Sequence, residues 1–280
     1  MTNTEAKAVA EQLGNIPDLD PVIQAAIERL NRKGYIPLHQ VQIAHNWLEG
    51  KQQSRQSGRV VGDSRTGKSM MCDAYRLRHK PQQVAGKPPI VPVVYVESDE
   101  ECGAKDLFKL ILKALGHKLA TTNRSVAEIR DFTMSTMAKC GVKMLIIDEA
   151  ELLKPKTFSE ARHIFDKLQI SVILVGTDRL DKAIQRDDRV HNRFRSCYQF
   201  GKLSGIDFER TVKIWEKQVL QLPTPSNLHG KEKLKILGEA TLGYVGLMDM
   251  ILREAAIQSL KKGLAKIDLK TLKEVATEYQ

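Results

Sequence analysis

The stretch "VVGDSRTGKS", residues 60–69, decides how the rest of the chain reads. Two valines run into Gly62, four polar residues follow, and Gly67-Lys68-Ser69 opens the helix-forming run "KSMMCDAYRLRH". An apolar strand that stops at a glycine and resumes as a helix leaves the first N–H groups of that helix without partners, and together they attract an anion. Gly62 and Gly67 let the intervening loop bend until successive N–H groups face one phosphate. Lys68 adds a mobile charge for β- and γ-phosphates, and Ser69 a hydroxyl for Mg²⁺. The spacing G-x-x-x-x-G-K-[ST] is met at every position, so Gly62, Asp63, Ser64, Arg65, Thr66, Gly67, Lys68 and Ser69 are expected to bind ATP with Mg²⁺.

Working outward, residues 58–203 alternate between short apolar runs and helical patterns. "RVVG", "IVPVVYVES", "KMLIIDEAE", "SVILVGTD" and "CYQFGKL" read as five strands. "AKDLFKLILKALG", "SVAEIRDFTMSTMAKCG" and "KTFSEARHIFDKLQ" read as helices between them. Ser125, with Glu128 three residues on, has capping-box spacing. Near-continuous apolar strands separated by helices predict a parallel sheet covered on both faces, an α/β fold. Residues 1–57 read as an N-terminal helical segment, with Gly34 and Gly50 as stops and "KQQSRQSG" as a loop into the first strand. Residues 204–280 hold helices alone and read as a lid.

A P-loop enzyme needs a carboxylate at the end of a neighbouring buried strand. "MLIIDEAE" supplies Asp148 for the Mg²⁺ shell and Glu149 to orient and polarise the attacking water. The run "IVPVVYVES" lies between the phosphate loop and this element in the chain, an order that predicts an extra strand between their two strands. Thr177, after the strand "SVILVG", is placed to reach the γ-phosphate and the water. In "RDDRVHNRFRSCYQF", Arg193 is the first choice for an arginine that completes a neighbour's site, with Arg195 and Arg186 as alternatives.

The bulk properties limit the partners. The formal net charge is +10, an excess that favours an anionic partner such as nucleic acid. Aromatic residues are 5% of the chain, too few for stacking platforms to dominate single-strand binding. The four cysteines, at 72, 102, 140 and 197, have no zinc or redox spacing and are expected to be reduced thiols of a cytoplasmic protein. The polar start "MTNTEAKAVAEQLGN" has no apolar signal region, and no run reaches the ~18 apolar residues of a membrane span, so no membrane partner is expected.

The phosphate loop, the Asp-Glu strand, Thr177, the arginines before the last strand and the helical lid together resemble an AAA+ ATPase. The segments "RVVGDSRTGKS", "CDAYRLRHKPQQVAGKPPIVPVVYV", "VKMLIIDEAELLKP", "ILVGTDRLD", "FGKLSG" and "GYVGLMDMILREAAIQSL" carry the likeness further. They resemble the TnsC/TniB family of transposition regulators, most of all the short TnsC proteins of CRISPR-associated transposons. The resemblance implies a bacterial, DNA-associated ATPase that assembles head-to-tail into rings or helical filaments on double-stranded DNA. It further implies a link between a TniQ-type adaptor with its CRISPR effector and the transposase TnsB, with ATP hydrolysis taking the assembly apart. Lys105, Lys154, Thr121, Arg124 and the capping Ser125 are the expected contacts to the DNA backbone, the two lysines gaining most from the resemblance. One departure stands out. Where many such lids carry an arginine, this chain has Leu247 after Gly246, and the nearest arginine is Arg253, so modest intrinsic hydrolysis is expected. The alternatives are an AAA+ helicase loader or an insertion-sequence helper ATPase, which differ by partner, and a small-molecule P-loop kinase, which would turn over ATP without regard to DNA.

Overall fold

The structure is a computed structural model that describes residues 20–32, 34–83, 85–117 and 125–280. Two compact units share the chain. One groups Tyr35–Asp207 with Gly243–Gly246, and the other groups the residues up to Gly34 with Phe208–Leu242 and Leu247–Gln280.

The first unit is built on a five-stranded sheet. Its strands are β1 (Gly58–Val61), β2 (Val93–Glu97), β3 (Met144–Asp148), β4 (Ser171–Gly176) and β5 (Cys197–Gln199). They lie in the order β2-β3-β4-β1-β5, every pair parallel. All residues of β3 and β4 are buried, and alternate residues of a strand face opposite sides, so both faces of the sheet are covered. An extra strand does separate β1 from β3, but it is β4. The strand from "IVPVVYVES" lies instead at the sheet edge, paired to β3 alone.

Among the described residues this unit holds seven α-helices: α2 (His39–Ser54), α3 (Lys68–Arg78), α4 (Ala104–Ala114), α5 (Val126–Lys139), α6 (Pro155–Leu168), α7 (Asp178–Ile184) and α8 (Asp188–Arg193). The capping box at the start of α5 forms as the spacing predicts. Ser125 Oγ accepts from the Glu128 N–H, and the Glu128 carboxylate accepts from the Ser125 N–H. Gly50 does not stop α2, which runs on through Lys51-Gln52-Gln53-Ser54 before Arg55 turns left-handed at φ 52°. A helical glycine is unfavourable by only about 1 kcal/mol against alanine. Packing outweighs that here, since Gln52 is buried and accepts from the Tyr75 hydroxyl on α3 at 3.1 Å. His45, also on α2, is buried: its Nε2 lies 2.9 Å from the Met71 carbonyl and its Nδ1 3.0 Å from Arg78.

The second unit is helical among the described residues: α1 (Pro21–Asn31), α9 (Gly205–Ile214, mostly within it), α10 (Lys231–Thr241), α11 (Val245–Lys261, within it from Leu247) and α12 (Leu269–Glu278). A wide turn of helix, Trp215–Leu220, extends α9. Where the sequence reading puts residues 1–57 in one segment, contacts assign α1 here and α2 to the sheet. Arg29 of α1 explains part of this, donating to the Val219 and Leu220 carbonyls at 3.0 and 2.7 Å. Glu216 fastens the loop after α9 by accepting the N–H groups of Asn227 and Leu228 at 2.7 and 3.0 Å. Among the described residues no helix is long and apolar enough to cross a membrane.

Candidate functional site

Strand register brings the candidate residues to one edge. Val61 of β1 pairs with Gly176 of β4, and Ile147 of β3 with Leu174 of β4, so Gly62, Asp148 and Thr177 all leave the sheet at its carboxyl end. That end is where open parallel sheets hold ligands.

The phosphate loop is held mainly by its own backbone. Lys68, the first residue of α3, is buried, and its Nζ donates to the Gly62 and Asp63 carbonyls, each at 2.8 Å. Burial lowers the Lys68 pKa, and the carboxylates of Asp148, Glu151, Glu149 and Asp63 pull it back up. Those four acids are thus close enough to Lys68 to act on its charge. The Thr66 hydroxyl donates to the Asp63 carbonyl at 2.8 Å. Gly67 takes φ 97°, and Arg65, a non-glycine, takes φ 65°. Gly62 is required for space rather than for conformation: a Cβ there would collide with the Phe200 carbonyl oxygen.

The turn Gly243–Gly246 is stitched to the loop. The Gly246 N–H donates to the Arg65 carbonyl at 2.9 Å, and the Tyr244 hydroxyl to the Asp63 carboxylate at 2.7 Å. Lys202 sits 3.3 Å from that carboxylate and 4.3 Å from the centre of the Tyr244 ring. These partners, the Tyr244 hydrogen bond first, lower the Asp63 pKa.

On the facing side, Asp148 is buried, with one oxygen accepting the Tyr95 hydroxyl at 2.7 Å and the other the Glu149 N–H at 2.9 Å. Two donors therefore fix its orientation, and lone pairs remain for a further ligand. Glu149 follows in a left-handed conformation, φ 50°, a strained setting for a non-glycine residue. Burial raises the Glu149 pKa, with Glu151 and Asp148 adding to the effect. Glu151 is the residue that the sequence reading misses. Its Oε1 accepts from both the N–H and the hydroxyl of Thr177, at 2.9 and 2.7 Å. Only its place in "DEAE" pointed to it.

Among the described residues no cluster of three or more His, Cys, Asp or Glu side chains could hold a metal unaided. Mg²⁺ in a P-loop takes most of its ligands from phosphate and water, so a hydroxyl and one oriented carboxylate are what the protein must provide. Exposed Ser69 on the first turn of α3 and buried Asp148 fit that need.

The arginines separate by what they touch. Arg193 pairs with Asp166 at 3.0 Å and lies 5.6 Å from the Phe165 ring centre. Arg186 and Arg195 are exposed, with no side-chain partner found among the described residues. Arg59 of β1 binds Asp181 at 2.5 Å and donates to the Phe194 and Arg195 carbonyls at 2.7 and 2.9 Å. Arg253 is committed within the helical unit, to Asp249 at 2.6 Å and to the Leu30 and Arg32 carbonyls.

The expected DNA contacts divide as well. Lys105 is in the first turn of α4, and Lys154 precedes α6, 3.8 Å from Glu101. Their loops are joined: the Cys102 N–H donates to the Leu152 carbonyl at 3.1 Å, and the Lys154 N–H to the Cys102 carbonyl at 3.0 Å. Ser125 spends its hydroxyl on the cap of α5. Thr121 and Arg124 lie outside the described residues.

The model of the bacterial TniB protein family matches residues 27–202. No curated protein matches in sequence. Among solved structures, CDC6P of Pyrobaculum aerophilum aligns with a TM-score of 0.70 at 14% identity, covering 89% of this chain and 70% of its own. The ORC2 protein of Aeropyrum pernix, described in ADPNP-ADP complexes, gives 0.69 at 13% identity, covering 89% and 71%. ORC1 of the same organism, solved in complex with DNA, gives 0.64 at 14%, covering 90% and 69%. These likenesses establish the fold, that of the AAA+ P-loop NTPases.

Proposed function

Because the chain belongs to the bacterial TniB family and has the AAA+ fold, we propose that this ATPase is a DNA-associated regulator of transposition that assembles on double-stranded DNA and uses ATP hydrolysis to come apart. One observation carries the reading: Lys68, buried at the turn from strand to helix, feels the charges of Asp148 and Glu149 from the next-but-one strand. A phosphate cradle and a pair of acids on one sheet edge is the arrangement that ATP hydrolysis needs.

The loop amides and Lys68 bind and orient the β- and γ-phosphates. Ser69 and Asp148 would hold Mg²⁺, which neutralises charge on the phosphate oxygens. Glu149 takes the proton of the attacking water. Its raised pKa makes it a stronger base than an ordinary glutamate once ionised. Thr177 faces the same region from β4. The charge that completes the site comes from a neighbouring subunit. Arg193 must leave Asp166 to serve, so Arg195 and Arg186 are the readier candidates. With Arg253 held by Asp249 and two carbonyls, Arg253 is not free to supply that charge, and an isolated subunit hydrolyses ATP slowly.

Lys105, in the first turn of α4, and Lys154, whose N–H is bonded to the Cys102 carbonyl just before that helix, touch the phosphate backbone and carry no sequence information. The partners on either side of the assembly are a TniQ-type adaptor with its CRISPR effector and the transposase TnsB. The ORC and CDC6P likenesses support a second reading, an initiator- or loader-type ATPase, distinguished by its protein partner.

Electron microscopy with long duplex DNA tests the proposal. Rings or filaments that require ATP and Mg²⁺, and that dissolve as ATP is hydrolysed, are expected. Hydrolysis with no assembly on DNA would overturn it.

A further inference from the structure

We infer that Glu151 is a positioning residue for ATP hydrolysis, acting through Thr177. The inference rests on the reading of Thr177, the residue after β4, as the one that faces the γ-phosphate and the attacking water.

Thr177 owns one hydroxyl proton and donates it to Glu151 Oε1 at 2.7 Å. Its N–H goes to the same oxygen at 2.9 Å. The hydroxyl oxygen also caps α7 by accepting the Arg179 N–H at 3.4 Å. The rotamer of Thr177 is thus fixed from both ends. Because its proton is committed, its free lone pair is what remains to meet a water. In that arrangement Thr177 accepts from the water and cannot donate to a phosphate oxygen unless it lets go of Glu151.

The other carboxylate oxygen, Glu151 Oε2, is buried with no hydrogen-bond partner among the described residues. It packs where a Cβ on Gly176 would collide with it. A half-satisfied buried carboxylate is unfavourable, and a side chain with no more than a packing role would avoid it. Glu151 also lies in the short turn Ala150–Leu152, directly after Glu149 with its φ of 50°. One carboxylate therefore ties the end of β4 to the turn that carries the water-activating acid. The same geometry explains why β4 ends in glycine.

The test is a double-mutant cycle on the full chain with duplex DNA, reading kcat, ATP affinity and melting temperature. Glu151→Ala is expected to lower kcat about tenfold while ATP affinity changes less than about twofold, the signature of an interaction used in the transition state. Thr177→Val, which keeps the N–H and loses the hydroxyl, should do the same. The double variant should be no slower than the slower single one, because the two residues act as a unit. Glu151→Gln retains the accepting Oε1 and should recover kcat to within about threefold of the parent. If Glu151→Ala does not fold, Glu151→Gln and Thr177→Val carry the comparison. A silent Thr177→Val beside a slow Glu151→Ala overturns the inference, because Glu151 would then act by another route. Silence in both variants also overturns it. A slow Thr177→Val beside a silent Glu151→Ala overturns the inference and leaves the reading of Thr177 standing. Multiplying effects, or equal losses of affinity and kcat, would likewise refute it.

Discussion

The two walls of the nucleotide site are held by different chemistry. The β1 wall is made mostly of main chain: Lys68 on the Gly62 and Asp63 carbonyls, Thr66 on that same Asp63 carbonyl, and the Gly246 N–H on the Arg65 carbonyl. The β3–β4 wall is made of side chains that hold one another, Tyr95 on Asp148 and Thr177 on Glu151. A main-chain wall depends on spacing and on glycine, and so tolerates change in its variable side chains. A side-chain wall depends on individual functional groups, each replaceable by mutation without disturbing the backbone. In the proposed reaction, the first is a template for phosphate, and the second sets when that phosphate is cleaved.

The sharpest way to break this contrast is to strike the acid wall alone. Glu149→Gln should reduce ATP hydrolysis about a hundredfold or more, leave ATP binding intact, and leave assemblies standing on DNA. Loss of binding in a filter or fluorescence titration would show that the walls are not separable. Striking the main-chain wall should do the reverse. Gly62→Ala puts a Cβ against the Phe200 carbonyl, and about tenfold weaker ATP binding is expected, with a lower melting temperature. A smaller effect sharpens the picture. Tyr95→Phe removes one of two donors to Asp148 and should raise the Mg²⁺ concentration for half-maximal activity several-fold, roughly the lower end of what such supporting residues give. An unchanged Mg²⁺ titration would mean that the Glu149 N–H suffices.

Two pH effects should be gentler. Glu149 must be ionised to accept a proton, and its pKa is raised by burial and by Glu151 and Asp148. Hydrolysis should therefore decline, as pH falls, at a higher pH than an ordinary glutamate would give. A plateau reaching down through the ordinary carboxylate range would refute this. His45 has its pKa lowered, first by burial, so the unfolded chain takes up a proton before the native state does. Its contribution to stability is complete above an ordinary histidine pKa of about 6.5 and is lost as pH falls from there through the lowered native value. Thermal melts of the parent should weaken over that window more than those of His45→Gln.

The same contrast explains what could be read from the sequence. The phosphate loop and the apolar strands are contiguous, so periodicity and spacing expose them, and the capping box of α5 is contiguous too. Glu151 and Tyr95 owe their roles to strand order, which puts β2 and β4 on either side of β3. No local pattern encodes that neighbour relation, and a tyrosine inside an apolar strand reads as core. The placement of α1 and the continuation of α2 past Gly50 were hidden for a similar reason. Arg29 finds its acceptors far along the chain, and Gln52 looks like a loop residue until Tyr75 is beside it.

Arg59 carries a last consequence. It stands on the strand that ends in the phosphate loop, and it grips Asp181 and the Phe194 and Arg195 carbonyls. In the assembly proposed above, the phosphate loop that a subunit would hold for itself and the Arg195 that it would offer the next are thus gauged from one short strand. Small misfits at successive joints would otherwise add up along a polymer, as tolerances stack in a long train of parts. In the proposed assembly the Arg59 guanidinium would keep that tolerance inside each part, set before subunits meet.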